Sequence, residues 1–196
     1  MLTLCIDTAY KYLTCVLIQD NKIISSYSEE CFKKQSEEVF IALKKVFEEG
    51  NINPKDIDSI CISKGPGSYT GVRIAMSIAK TIGEVLPCDI YTISTLRLYA
   101  ANKGNCLVLM DARNDRAYAA IYDKDKTVME DCIVDVKQLD YHDRIVIGDT
   151  TLIGRKTDNF DNIAYAFLAT KYLWKKVDNI AYLVPEYLKE SEKYYL

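Results

Sequence analysis

The run Ser63-Lys64-Gly65-Pro66-Gly67-Ser68-Tyr69-Thr70-Gly71-Val72-Arg73 decides how this chain folds. It follows the apolar Ile60-Cys61-Ile62 and leads straight into a helical pattern, carrying three of the chain's eight glycines. A strand, a glycine-dense turn and a helix can present backbone N–H groups to an anion or a partner. The spacing excludes two nucleotide motifs. A Walker loop needs Lys after its last Gly, and Gly71 precedes Val72. A dinucleotide fingerprint needs its third Gly one residue earlier. A tight turn, with Pro66 fixing φ and the glycines free to take positive φ, is the structural reading of the same residues.

Outward from this turn, the chain repeats itself. Leu2–Ile6, Asp7, Leu13–Ile18, the turn Asp20-Asn21-Lys22 and Ile23–Tyr27 recur 104 positions later without a gap. The copies are Leu107–Met110, Asp111, Ala117–Tyr122, Lys124-Asp125-Lys126 and Thr127–Met129. Each half therefore opens with a strand ending in Asp, then a hairpin. Asp7 falls on Asp111. Gly104 marks the expected boundary, giving an N-terminal half at 1–103 and a shorter C-terminal half at 104–196. The expected class is α/β: an actin-like, ribonuclease H-like fold with two related halves.

Two helices are expected in the first half. Ser36 to Glu49 carries Val39, Phe40, Leu43, Val46 and Phe47 at helical spacing, with Ser36 as cap and Gly50 as stop. Residues 70–86 form the second, which Pro87 ends. Arg73, Ser77, Lys80 and Glu84 make its one polar face, while Gly71, Ala75, Ala79 and Gly83 form a small-residue stripe. The stripe lets another backbone approach. One apolar stripe suffices for a helix on a sheet, so the excess asks for a second neighbour. Further on, Ile90–Ile93 reads as a strand, Thr95–Asn102 as a helix and Ile145–Ile147 as a strand. An aromatic-rich helix is expected at about 161–177.

Composition narrows the function classes. The chain has 196 residues, 49% hydrophobic and 27% charged, with a net charge of −3 and no basic block. That argues against a nucleic-acid binder acting alone. Seven cysteines without a C-x-x-C pair, mostly in apolar runs, point to small hydrophobes rather than zinc or disulfides. The start lacks a signal-peptide pattern and no apolar run approaches a membrane span, so the expected location is cytoplasmic.

Candidate chemistry is sparse. Asp7 and Asp111 could be acids beside phosphate-gripping turns, but Asp7-Thr8-Ala9 lacks the Gly that admits a phosphate, and capping its own turn is the competing role. Gly148-Asp149-Thr150-Thr151 reads either as a degenerate second phosphate turn or as a plain surface turn. His142, the single histidine, sits in a polar loop, and Ser68 lacks a nucleophile elbow because residue 66 is Pro. No triad and no metal site is visible.

The glycine run resembles the signature of the TsaB family, also called YeaZ. The likeness extends through Leu4-Cys5-Ile6-Asp7-Thr8, Ile93-Ser94-Thr95-Leu96, Asp111-Ala112-Arg113 and Pro185-Glu186-Tyr187-Leu188-Lys189. The resemblance implies a non-catalytic subunit of the bacterial complex that attaches threonylcarbamoyl to adenosine 37 of ANN-decoding tRNAs. TsaC makes threonylcarbamoyl-AMP, TsaD transfers the group and TsaE is an ATPase. The implied partners are thus a TsaD-type catalytic subunit and a TsaE-type ATPase, with tRNA met only through the complex. ATP is used by the complex, and no cofactor is bound by this chain alone. In that family the first-half helices pack against TsaD or a second copy, so Val39, Leu43, Val46, Ala75, Ala79 and Gly83 are the expected interface and a homodimer would use the same helices. One histidine cannot supply the TsaD H-x-x-x-H pair. Gln35 and Lys189 depart from the family's usual residues. The competing reading is a free-standing actin-like phosphotransferase or hydrolase using Asp7 or Asp111. A peptidase, the older glycoprotease label, has no visible machinery.

Overall fold

The computed structural model describes residues 1–31 and 33–188. The expectation at Lys189 lies outside them. Three strands open the chain: β1 (Leu2–Asp7), β2 (Tyr12–Gln19) and β3 (Lys22–Glu30). Helix α1 (Gln35–Gly50) and β4 (Ser59–Ser63) follow, then α2 (Tyr69–Val85), β5 (Asp89–Ile93) and α3 (Thr95–Ala100). The second set is β6 (Cys106–Arg113), β7 (Arg116–Asp123), β8 (Lys126–Asp135) and β9 (Ile145–Gly148). Helix α4 (Ile163–Ala169) and the short β10 (Lys175–Lys176) complete it.

The first sheet runs β10-β5-β4-β1-β2-β3 and the second β8-β7-β6-β9. In each, an antiparallel three-strand meander adds a parallel strand beside its first member, β4 on β1 and β9 on β6. This shared order is the duplicated actin-like, ribonuclease H-like α/β fold expected from the repeat. The hairpin turns repeat too: Asp20 and Lys124, 104 residues apart, both take φ 55°.

The register corrects one equivalence. Leu4 pairs with Leu17, whereas Leu107 pairs with Ile121, so β6 lags the shift by one residue. An irregularity between Asp111 and Arg113 absorbs it. Asp7 therefore matches Met110 in the ladder, and Asp111 matches Thr8. A one-residue slip turns side chains to the opposite face: Asp7 is fully buried and Asp111 is exposed.

Helices α1 and α2 cover the outer face of the first sheet. Val39, Ala42, Leu43 and Val46 from α1, with Ala75, Met76 and Ala79 from α2, pack on Leu4, Ile6, Leu13 and Leu17. The second sheet lacks such a layer, since residues 136–144 join β8 to β9 with only a 3-10 turn. Between the sheets lies the largest apolar cluster, where Cys5, Val16 and Ile18 meet Val108, Met110, α3 and α4.

Three local expectations change. Ser36 lies inside α1, whose N-cap is Lys34 with no side-chain cap bond; the helix gains its first turn from Gln35, whose amide donates to the Tyr10 carbonyl at 2.6 Å. The helix expected at 161–177 stops at Ala169, where the Thr170 hydroxyl donates back to the Ala166 carbonyl at 2.7 Å. The chain then extends so that Lys175 and Lys176 pair with β5. Helix α3 ends at Ala100, because Ala101 takes φ 51° and ψ −124°. The described cysteines are all free, and five of the seven are buried, with burial pushing the Cys5, Cys15 and Cys61 thiols up.

Candidate functional site

The glycine run is a packed joint. The Ser68 N–H donates to the Ala9 carbonyl at 2.7 Å, Lys64 N–H to the Ile93 carbonyl at 2.9 Å and Glu186 N–H to the Lys64 carbonyl at 2.8 Å. Ser68 caps α2 by accepting from Gly71 N–H at 3.3 Å. Across the helix start, the Thr8 hydroxyl donates to the Gly71 carbonyl at 2.6 Å and accepts from Ala75 N–H at 3.2 Å. A Cβ at Gly65, Gly67 or Gly71 would lie 2.6, 2.4 or 2.2 Å from the carbonyl oxygens of Glu186, Ala9 and Thr8 respectively. Side-chain absence is thus required for contact with the chain's own backbone. The N–H groups of Lys64, Ser68 and Gly71 are committed internally.

The rest of the signature ties down the C-terminal segment. Pro66 is buried behind a cis Gly65–Pro66 bond, and Lys64 pairs with Glu186 at 2.8 Å. Tyr69 stacks on Tyr187 at 4.9 Å between centroids, and Arg73 donates to the Tyr69 hydroxyl at 2.9 Å. Thr70 is exposed.

Beside this joint, the β1–β2 turn meets the second half. Asp7 accepts from Ser63, from Ala9 N–H at 3.0 Å and from the Tyr99 hydroxyl at 2.9 Å. It caps its own turn, one of the two roles its sequence allowed. Burial raises its carboxyl, against the lowering effect of those hydrogen bonds. Next to it, buried Asp149 accepts from the Tyr10 hydroxyl, from Lys11 Nζ at 2.5 Å and from Asp111 N–H at 2.7 Å. Lys11 also pairs with Asp158 at 2.8 Å. Burial would lower Lys11, but the two carboxylates outweigh it and hold its ammonium above the ordinary value. Phe160 fills the remaining space against Tyr10, Tyr12 and Tyr99, at 6.3, 5.5 and 5.8 Å between centroids.

The two duplicated turns are therefore bolted together by side chains where the halves face each other. Asp7 and Asp111 do not converge on shared space: the first is buried among donors, and the second accepts from its own turn at Arg113 N–H, 2.7 Å away. Sequence reading flagged Asp149 as a turn residue and missed its role, along with Tyr10 and Lys11. Its one available signal was an acid directly after the glycine that ends a strand. His142 sits in a loop stacked on Tyr141. Among the described residues, no group of three His, Cys, Asp or Glu side chains could hold a metal ion.

The expected interface residues face the wrong way for a partner. Val39, Leu43, Val46, Ala75 and Ala79 are buried in the chain's own core. A Cβ on Gly83 would meet Ile90 and Ile180 at 2.6 and 2.9 Å. The small stripe does admit a second backbone, but it is that of Thr8. What α1 and α2 leave exposed is Phe40, Ile41, Tyr69 and Val85, with Phe47, Ile74, Ile78 and Ile82 half-buried. Helical spacing finds an apolar stripe without telling which of two stripes the sheet takes.

Comparison with known proteins gives a consistent set of relatives. The family model described as TsaD, tRNA N6-adenosine threonylcarbamoyltransferase, matches residues 21–193. The tRNA threonylcarbamoyladenosine biosynthesis protein TsaB of Bacillus subtilis is 32% identical over 139 residues, covering 69% of this chain and 61% of that protein. The protein of the same name from Buchnera aphidicola (Schizaphis graminum) is 33% identical, covering 64% of this chain and 62% of its own length. The match thus spans about six tenths of these relatives. A solved Pseudomonas aeruginosa protein described as similar to peptidase YEAZ superposes with a TM-score of 0.81 at 17% identity, over 95% of this chain and 99% of its own.

Proposed function

The chain belongs to the TsaB/YeaZ family, within the wider family of the TsaD model, and from that premise we propose that it is a non-catalytic subunit of a tRNA threonylcarbamoyladenosine-forming complex. The observation that carries the non-catalytic role is the closed junction. Tyr10, Lys11, Phe160 and Asp149 occupy the space between the duplicated turns, and the N–H groups of Lys64, Ser68 and Gly71 are spent within the chain, on the Ile93 and Ala9 carbonyls and the Ser68 hydroxyl. A phosphotransferase using Asp7 or Asp111 needs that space and those donors. The reaction belongs to a TsaD-type partner, with a TsaE-type ATPase consuming ATP and tRNA engaged through the complex in the cytoplasm. Among the described residues, no helix is long and apolar enough to cross a membrane.

The partner surface is the outer face of α1 and α2, where Phe40, Ile41 and Val85 stand in solvent. Large exposed apolar side chains on adjacent helices mark association sites, and a homodimer through the same face competes with the TsaD-type partner. Co-purification tests this reading. Phe40→Glu with Val85→Arg abolishes capture of the TsaD-type subunit while circular dichroism stays native; capture unchanged by the double variant overturns the assignment. An ATPase assay on the purified chain discriminates the phosphotransferase, which predicts turnover lost in Asp7→Asn.

A further inference from the structure

Away from the sealed junction, a cleft of about 240 Å³ remains among α3, the β7–β8 hairpin and the C-terminal segment. Arg97 lines it and is only 7% exposed. Its Nη2 donates to the Lys124 carbonyl, and the guanidinium lies over the Tyr122 ring, 4.6 Å from the centroid. Nη1 is buried with no hydrogen-bond partner. No carboxylate of the described residues pairs with this cation. Asp131, the acid in the same wall, accepts instead from the Ser94 and Tyr122 hydroxyls, the latter at 2.7 Å. A buried guanidinium with an unused donor and no counter-ion among the described residues is costly unless something supplies the acceptor.

The rim says what kind of acceptor. Among the described residues, exposed Lys175 adds a second cation without an ion pair, whereas Lys64 is tied to Glu186. Exposed Asp125 and Glu130, also unpaired among them, stand on the same rim. A polyphosphate would meet these carboxylates and be repelled, and a simple anion would leave them unmatched. A molecule with a carboxylate and an ammonium close together matches both signs. The volume is below the roughly 300–1,000 Å³ of sites for larger ligands and suits one such molecule with water.

We propose that this cleft binds a free α-amino acid as its zwitterion, the carboxylate on Arg97 and Lys175 and the ammonium toward Glu130 and Asp125. The site stands apart from the α1–α2 surface, so it does not depend on the TsaD-docking reading. Titration of the purified chain, followed by NMR chemical shifts, tests it with L-serine, L-aspartate and L-lysine against propionate, ethylamine and inorganic phosphate. At least one amino acid perturbs the cleft resonances, and propionate and ethylamine bind at least about tenfold more weakly. Lys175→Glu, a rim change that leaves the core intact, weakens binding about tenfold, as does Arg97→Lys, which keeps the charge but loses the planar fork. Cleft resonances unmoved by all three amino acids overturn the proposal. So does propionate or phosphate binding as tightly as the best amino acid, or affinity unchanged in both folded variants.

Discussion

The β1–β2 and β6–β7 turns descend from one repeat, yet the first is sealed and the second stands open. At the first, Thr8, Ala9 and Tyr10 are buried beneath Gly67, Gly71 and Asp149. At the second, Arg113, Asn114 and Asp115 are exposed, each with φ between 57° and 65°. Similar hairpins thus serve opposite ends. One has become a structural bolt between the halves, while the other joins it only at its first residue, through the Asp111 N–H, and leaves its tip exposed. The lesson is that what covers a turn decides what it can do.

The largest expected effect breaks the sealed side. Gly71→Ala forces a Cβ to within 2.2 Å of the Thr8 carbonyl oxygen, and should cost about 3 kcal/mol or more in urea unfolding. Gly154→Ala is the control in open space: its φ of 80° alone is disturbed, for about 1 kcal/mol. Next comes Asp149→Ala, which strands the Tyr10 hydroxyl and the Asp111 N–H and leaves Lys11 with Asp158 alone. Because Lys11 is partly solvated, the loss should be about 2–3 kcal/mol rather than the full cost of a buried pair. Its counterpart on the open turn, Asp115→Ala, loses only the Lys137 pair, both partners 75% exposed, and should change stability by at most about 0.5 kcal/mol.

A smaller effect is a pH dependence at Asp7. Burial raises the native carboxyl of Asp7 despite the donors around it. The native state then holds that proton more tightly than the unfolded chain. Stability from this group is fully present below the ordinary carboxylate pKa of about 3.9 and is lost as pH rises through the native value. Asp7→Asn should therefore gain on wild type, in chemical unfolding, as pH climbs above the carboxylate range. Asp158 runs the other way. Burial would raise it, but Lys11 and Thr151 hold it low, so its contribution fades on acidification. Asp111→Asn, on an exposed side chain, should leave stability within about 0.5 kcal/mol of wild type.

Much of this architecture was legible because it is periodic. The shift of 104 placed both hairpins, and the glycine run placed the start of α2 at about residue 70, one residue after its first residue, Tyr69. The bolt was not legible, because Tyr10, Lys11, Asp149 and Phe160 come together only when the halves close, and no local pattern encodes that meeting. The register slip at Ala112 was hidden for a related reason: a bulge costs one residue and leaves the hydrophobic alternation intact on either side. On α1 and α2 the apolar excess was readable and its direction was not. Val39, Ala75 and Ala79 went to the sheet, leaving Phe40 and Val85 outside.

Reconstituted threonylcarbamoylation of tRNA, with the catalytic subunit, the ATPase and the supply of activated threonylcarbamoyl held fixed, tests the central claim most directly. The account predicts that modification collapses when this chain is omitted or carries Phe40→Glu with Val85→Arg, and persists with Asp111→Asn. Modification that proceeds equally well without the chain would contradict it.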